Sequence, residues 1–352
     1  MSVNKSSIKS YPIPQKASLS VVIPVYNAEQ WMKPTLDKLW TALSKTKWHS
    51  IEIIVVDDGS TDGTAKTVKA ITLGAKIRLI TQSNAGRFLA RQAGLNAAKG
   101  DYVFFIDSRV FAQPESFNYL VQQMNKHPEA VIWNGHVEVE RDGNPYARFW
   151  HAVTFMAWHK YMANPRLVHY GYDQFDYYPK GTTCFFAPRD LLLSAYAQFK
   201  TVYSDLRNAN DDSALIRYMA KETDIYIAPG FAFTYHSRSS LKAFARHTAH
   251  RGVVFIDGFM HRGTRYYYWL IAYLIGLPLG LAVFFLWPLL LLALPLLLVL
   301  AWLLTLVRGV PRDDAAAFAL ILPVFALFYT AGLYKGLVIK WRDGLAGSSA
   351  RP

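Results

Sequence analysis

The sequence predicts an α/β protein built on a mostly parallel, Rossmann-like sheet, followed by a C-terminal α-helical transmembrane segment. Three observations lead there. Short apolar runs rich in β-branched residues alternate with helical patterns from Ser18 to Ile106. One of those runs, Ile51–Val56, stops abruptly at Asp57-Asp58-Gly59-Ser60-Thr61-Asp62. From Tyr266 to Val307, about 42 positions, no residue is charged. At 1.5 Å per residue that is roughly 60 Å of helix, twice a ~30 Å hydrocarbon core.

Residues 1–17 are polar, are expected to be disordered, and have no apolar signal core that would indicate secretion. Ser18–Val25 reads as a strand ending around Pro24, and Trp31–Leu43 as a helix with Pro34 early enough to be tolerated. Ile51–Val56 reads as a strand buried on both faces. Asp57 and Asp58 then fall at its carboxyl end, where open α/β sheets bind ligands. Thr61 is placed to cap the next helix, Ala65–Thr72. Ile77–Ile80 is a short strand, Phe88–Ala98 a helix ending at Lys99-Gly100, and Tyr102–Ile106 an apolar strand ending at Asp107.

Beyond Phe111 the pattern mixes. Val131–Glu140 alternates as a strand, with Asp142-Gly143 as a hairpin turn. Phe149–Lys160, Leu191–Phe199 and Ser213–Ala220 read as helices, Tyr170–Pro179 as an aromatic loop, and Asp224–Ala228 as a strand. Leu241–Gly252 is a basic helix suited to a membrane surface. The apolar tail divides into spans of about 267–286, 288–307 and 315–336, the first two separated near Trp287-Pro288. Unbroken leucine runs disfavour a buried helical bundle there.

The formal net charge is +13, which suits either nucleic acid or an anionic membrane face. Its placement favours the membrane and excludes nucleic acid as the expected partner. Arg238, Lys242, Arg246, Arg251, Arg262 and Arg265 cluster just before the first apolar span, where cytoplasmic loops carry their positive excess. Cys184 is the single cysteine and forms no intramolecular disulfide.

Four segments, in order, carry a family likeness: SVVIPVYNAE (Ser20–Glu29), IIVVDDGSTDGT (Ile53–Thr64), NAGRFLARQAGLNAAKGDYVFFIDS (Asn84–Ser108) and NDD (Asn210–Asp212). Together they resemble the family 2 glycosyltransferases of GT-A fold, and the apolar tail resembles that of membrane-bound members. The resemblance implies a catalytic domain over 18–235, basic juxtamembrane helices over 236–265, transmembrane helices over 266–340 and a tail over 341–352. It implies a nucleotide-diphosphate sugar as donor. Asp58 would accept a hydrogen bond from the base, with Asp57 supporting its loop and Pro24, Val25 and Tyr26 flanking the base. Glu29, Asn84, Arg87, Ser108 and Arg109 complete the expected donor set with Asp107.

In the family, an Asp-x-Asp pair holds Mg²⁺ or Mn²⁺ on the diphosphate; here Arg109 replaces the second aspartate. Either Asp107 acts as one ligand, with phosphate oxygens, waters and His236 completing the shell, or Arg109 itself neutralises the phosphates. Asn210-Asp211-Asp212 opens a helix and would supply the general base, help typically worth roughly 10²–10⁴-fold. Matching Arg217 to the family's helix arginine makes Asp211 the base; reading the doublet directly makes it Asp212, which is favoured. Arg246 and His250, like His247 and Arg251, lie four apart on one helix face. The resemblance puts Arg246, His247 and Arg251 on the donor diphosphate, with lipid head groups as the competing role. Lys180-Gly181-Thr182-Thr183 is expected to line the sugar or acceptor pocket.

The expected function is an inverting glycosyltransferase anchored in a bacterial or archaeal cell membrane by several spans, its catalytic domain cytoplasmic. Its acceptor would be a hydroxyl of a lipid-linked or membrane-proximal glycan. The alternatives are a polyprenyl-phosphate glycosyltransferase and, in another class, a non-catalytic membrane subunit that binds a sugar nucleotide.

Overall fold

The computed structural model describes residues 10–262, 264, 266–287 and 292–349. They fall into two units: residues 1–140, 164–200 and 211–236, and residues 141–163, 201–210 and 237–352. In chain order the elements are β1 (Ser18–Val25), α1 (Glu29–Leu43), β2 (Ser50–Asp57), α2 (Thr64–Ala70), β3 (Lys76–Thr81), α3 (Arg87–Ala97) and β4 (Tyr102–Ile106). Then come β5 (Val110–Ala112), α4 (Ser116–Lys126), β6 (Ile132–Asn134), β7 (His136–Val139), α5 (Pro145–Ala157), α6 (His159–Met162) and β8 (Val168–Tyr170). They continue with β9 (Cys184–Pro188), α7 (Arg189–Ala197), α8 (Asp211–Glu222), β10 (Ile225–Ile227) and β11 (Ala232–Tyr235). Four further helices follow: α9 (Leu241–Phe259), α10 (Tyr267–Leu286), α11 (Leu294–Val307) and α12 (Arg312–Ser349).

The first unit holds an eight-stranded sheet of order β3-β2-β1-β4-β9-β6-β10-β8 and a three-stranded sheet of order β5-β11-β7. Strands β3, β2, β1 and β4 are mutually parallel, whereas β9 runs antiparallel to both β4 and β6. The sheet is therefore mostly parallel, as expected. Strand β4 and the inner halves of β1 and β2 are buried, the burden of a sheet covered on both faces. The register Val25↔Asp57 brings the ends of β1 and β2 level.

Several expectations are corrected. Val131–Glu140 is not one strand: it breaks at Gly135, so β6 joins the large sheet and β7 the small one. A Cβ on Gly135 would stand 2.6 Å from Cys184 Cβ, so no larger residue fits where the chain crosses between sheets. Asp142-Gly143 closes no hairpin; the chain passes into α5, whose first turn is capped by Asn144 Oδ1 accepting from the Tyr146 and Ala147 amides. Thr61 does not cap α2; Asp62 Oδ1 takes the Thr64 amide at 3.0 Å, and Thr61 donates to Asn27 Oδ1. Of the expected disordered stretch, residues 1–9 lie outside the described residues, but Ala17 is fully buried and Tyr102 Oη donates to Pro12 O.

In the second unit, α9 and α12 pack backbone to backbone. A Cβ on Gly252 would meet Tyr329 O at 2.3 Å, and one on Gly332 would meet Ala249 O at 2.0 Å. Tyr203, Val253, Ile256, Leu270, Leu274 and Leu333 form the apolar cluster around this crossing. At the start of α12, Asp314 is fully buried and accepts from Arg141 at 2.7 Å and lies 2.8 Å from His151 Nδ1.

Three membrane spans are not supported. Among the described residues one helix is long and apolar enough to cross a membrane, Arg312–Leu345, of 34 residues. Tyr267–Gly280 and Leu294–Val307 are shorter apolar helices. The start of the second expected span, with Pro288, lies outside the described residues, as does Arg265. The expected tail from 341 is instead a continuation of α12 to Ser349, and Pro323 does not break that helix.

Candidate functional site

The carboxyl ends of β1, β2 and β4 carry the candidate site. At its first corner Asp57 and Asp58 are each 4% exposed. Asp57 Oδ1 accepts from the Ser60 amide at 3.0 Å. Asp58 Oδ1 accepts from Gln82 Nε2 at 2.8 Å and the Ala85 amide at 2.9 Å, and Oδ2 from the Gly86 amide at 2.8 Å. Asn84 Nδ2 donates to the Asp58 carbonyl at 3.0 Å. The 82–86 loop is thus fastened to Asp58, with one acceptor position left on Oδ2. Gly59, at φ 76°, stands so close that a Cβ would lie 2.7 Å from the Asn84 amide nitrogen.

Glu29 opens α1 and ties it to the loop between β2 and α2: Oε2 accepts from the Gly63 amide at 3.0 Å while its own amide donates to Asp62. Pro24 and Val25 end β1 inside the core, and Tyr26, which follows, is 52% exposed.

The second corner is a buried charge network. Arg91, on the inner face of α3, is fully buried. Its Nη2 lies 2.7 Å from Asp107 Oδ1, and its Nη1 2.9 Å from Asp211 Oδ2 and 3.6 Å from Asp212 Oδ1. Thr183 Oγ1 donates to Asp107 Oδ2 at 3.2 Å. Arg87, half exposed, points Nη2 at Asp211 Oδ1, 3.4 Å away. Both the Thr182 amide and its hydroxyl donate to Asp212 Oδ1.

The two neighbouring carboxylates differ. Asp211 is 2% exposed and Asp212 32%. Burial, then the adjacent Asp212 charge, push the Asp211 carboxyl up against the pull of Arg87 and Arg91. For Asp212 burial acts the same way, but Arg87, Arg91 and the Thr182 bonds outweigh it and hold the group below the ordinary carboxylate value.

Between these corners runs Asp107-Ser108-Arg109. Ser108 O accepts from Thr35 Oγ1 at 2.6 Å, and the Arg109 guanidinium lies 4.9 Å above the Trp31 ring. The small sheet brings in His236, whose amide donates to Arg109 O at 2.9 Å. Its ring packs 4.2 Å from Phe111 and 5.5 Å from Trp31, and Nε2 is buried with no partner. Burial and Arg109 depress the imidazole, against Glu140, so it is neutral near pH 7.

Arg246, His247 and Arg251 belong to the other unit. There Arg251 lies 4.7 Å over the Trp150 ring, with its Nε 3.3 Å from His247 Nε2.

Residues 20–187 match the family model described as glycosyl transferase family 2. The chain carries a family 2 glycosyltransferase domain. The chain is 33% identical over 131 residues to glycosyltransferase GlyG of Streptococcus pneumoniae, 36% of this chain and 42% of that one. It is 42% identical over 91 residues to glycosyltransferase GlyA of the same organism, 26% of this chain and 12% of that one. The chain thus spans well under two thirds of the curated relatives it matches. Among solved structures it resembles the mannosyltransferase PcManGT from Pyrobaculum calidifontis in complex with GDP-Man and Mn²⁺, at TM-score 0.58 and 16% identity, covering 94% of this chain and 91% of that one. It also resembles S. aureus TarS 1–349 in complex with UDP-GlcNAc, at TM-score 0.51 and 15% identity, covering 93% and 92%. These likenesses establish the GT-A fold.

Within the glycosyltransferase domain, among the described residues, no three His, Cys, Asp or Glu side chains converge as a metal cage. Of the two expected metal ligands, Asp107 has its carboxylate oxygens on Arg91 and Thr183, while His236 Nε2 is buried without a partner. Sequence reading gave Arg91 no role. Its signal was there: Phe88, Arg91 and Leu95 share one helix face, so a charge at that spacing is a buried one.

Proposed function

We propose that this protein is a membrane-anchored inverting glycosyltransferase that moves a sugar from a nucleoside-diphosphate sugar to a hydroxyl of a lipid-linked or membrane-proximal glycan. The observation that carries the reading is the pairing of a buried, arginine-bound Asp211 with a partly open Asp212 kept ionised. Asp212 is the general base. It takes the acceptor's proton as the hydroxyl oxygen bonds to the anomeric carbon, and the glycosidic oxygen leaves on the diphosphate with the bonding pair. A single displacement inverts the configuration.

On the donor side Tyr26 and the last acceptor position of Asp58 meet the base, and Asn84 and Glu29 keep that corner in shape. Arg109 and Ser108 flank the diphosphate. Asp107 and His236 would hold a divalent cation, which would neutralise the diphosphate charge; the Mn²⁺ in the PcManGT complex supports use of such a cation. Arg246, His247 and Arg251 serve the donor phosphates or lipid head groups. Anchoring rests on α12, supported by the exposed apolar side chains of Leu320, Leu327 and Val338, with the catalytic domain on the cytoplasmic side.

The test is transfer from labelled UDP- and GDP-sugars into a membrane lipid extract, followed by mild acid. Labelled sugar still in glycosidic linkage after acid, with inverted anomeric configuration, is expected. Release of the label as free monosaccharide would instead indicate a phosphate acceptor, and binding without any transfer or hydrolysis would indicate a non-catalytic subunit.

A further inference from the structure

Arg91 is the most constrained charged group of the domain. Its side chain is 0% exposed, and both terminal nitrogens are used on carboxylates from different elements: Asp107 after β4 and Asp211 at the start of α8. Its Nε is buried without a partner. Burying a guanidinium is costly, and an ordinary helix–sheet contact needs apolar groups alone. A planar fork that spans two carboxylates fixes their mutual position, which a lysine, a point charge on a flexible stem, does not do.

We infer that Arg91 is a positioning residue of the transfer step, setting the diphosphate-side carboxylate Asp107 and the Asp211-Asp212 pair in one fixed relation. Asp211 is the anchor that Arg91 grips, which leaves Asp212 to take the proton. Arg91 also draws both adjacent carboxylates toward one guanidinium against their mutual repulsion, although burial and the Asp212 charge still push the Asp211 carboxyl up. The inference rests on Asp212 as base, the reading given above.

Full-length wild type, R91K, R91Q and D211N in detergent are compared for UDP and GDP affinity, for turnover of UDP-N-acetylglucosamine and GDP-mannose with Mn²⁺, and for melting temperature. In R91K kcat is expected to fall about 100-fold, the usual effect of a misplacement near 1 Å. Nucleotide affinity and donor KM should stay within about 3-fold, because the fully buried Arg91 is held on carboxylates rather than presented to the nucleotide. D211N should lose about 10-fold in kcat by releasing one arm of the fork. An R91K that keeps more than about a third of wild-type kcat overturns the inference, as does a parallel loss of kcat and affinity that tracks melting temperature.

A second measurement needs no turnover. D107N, D211N and the double variant are melted in wild-type and R91Q backgrounds. Non-additivity of about 2 °C or more is expected in the wild-type background and additivity in R91Q. Additive shifts in the wild-type background overturn the inference, and that background decides alone if R91Q does not fold. A wild type that binds neither UDP nor GDP would instead sink the reading of the function.

Discussion

Asp212→Asn separates rate from stability. Asn keeps an acceptor oxygen for the Thr182 amide and hydroxyl, which both bond Oδ1. The new amide nitrogen replaces Oδ2, which lies on the Gly181 side, 3.9 Å from where a Cβ of that glycine would stand. The attraction to Arg91 at 3.6 Å is lost, but so is the repulsion from Asp211. For a group 32% exposed the net is below about 1 kcal/mol, a shift of about 2–4 °C at most. The rate is another matter. Without a base to take its proton, the acceptor hydroxyl loses roughly 10²–10⁴-fold, about 2.7–5.5 kcal/mol on the barrier. The assay is transfer of labelled sugar from the active donor into lipid extract at saturating donor, with melting temperature recorded on the same preparation. Donor KM should be unchanged, since the variant lies away from Tyr26 and Asp58. A variant that melts normally and keeps more than about a tenth of wild-type kcat refutes the base assignment, because an already ionised phosphate acceptor needs no base.

Further outcomes follow from the same geometry. Tyr26→Ala should raise donor KM by about 5–100-fold with kcat and melting unchanged, the ~1–3 kcal/mol of an aromatic stacked on a base; isothermal titration with UDP or GDP checks it. Gly332→Val places branched carbons where a Cβ already stands 2.0 Å from Ala249 O. The rigid backbone there cannot yield, so the α9–α12 crossing should lose at least about 3 kcal/mol, read as lost yield of monodisperse protein, whereas Gly276→Ala, with open space around it, should be tolerated. The depressed Asp212 sets the pH dependence. A carboxyl whose folded value is lowered keeps its charge until pH falls through that value. The acid limb of kcat should therefore lie below the ordinary carboxylate value of about 3.9, and a pH–rate profile on stable protein with a limb above pH 5 would contradict it.

The parallel half of the fold was legible because β1, β2 and β4 are apolar on both faces, and the carboxylates that end them interrupt the pattern sharply. The return strand β9 was not. Cys184–Pro188 is a short antiparallel strand that ends in a proline, has no hairpin partner next to it in the chain, and pairs with β4 and β6 from far away in sequence. Strands β5 and β6 have three residues each, too few for periodicity to separate them from loop. The carboxylates at the strand ends were readable as a ligand edge, and the Asp211-Asp212 doublet as a helix start. What the sequence concealed was their division of labour. Burial splits adjacent aspartates, 2% exposed against 32%, and the arginine that contacts both, Arg91, is distant in sequence. Arg87, which reads equally as a phosphate ligand or a solvated charge, is turned to Asp211 instead.

The satisfied and unsatisfied polar atoms of the domain set its two corners apart. Around Asp58 the hydrogen bonding is internal: three donors from residues 82–86 reach one carboxylate. That corner is formed before a nucleotide arrives and contributes shape. Around Asp107 the accounting is open. Arg91 Nε, His236 Nε2 and Trp31 Nε1 are buried without partners; the first belongs to the side chain bound to Asp107, and the other two flank Arg109. Buried polar atoms are costly when unpaired and are rare in folded chains. Trp48, Arg189 and Tyr196 are orphaned too; the first two lie toward the opposite end of β4, where Trp48 packs on Tyr102 and β9 hands over to α7, and Tyr196 is packed among Phe88 and Phe105. Trp31 Nε1 and His236 Nε2 stand beside the arginine that replaces a second aspartate, and these unpaired atoms support the proposal that a diphosphate with its counter-charge meets the domain there, whereas Arg91 Nε is sealed inside.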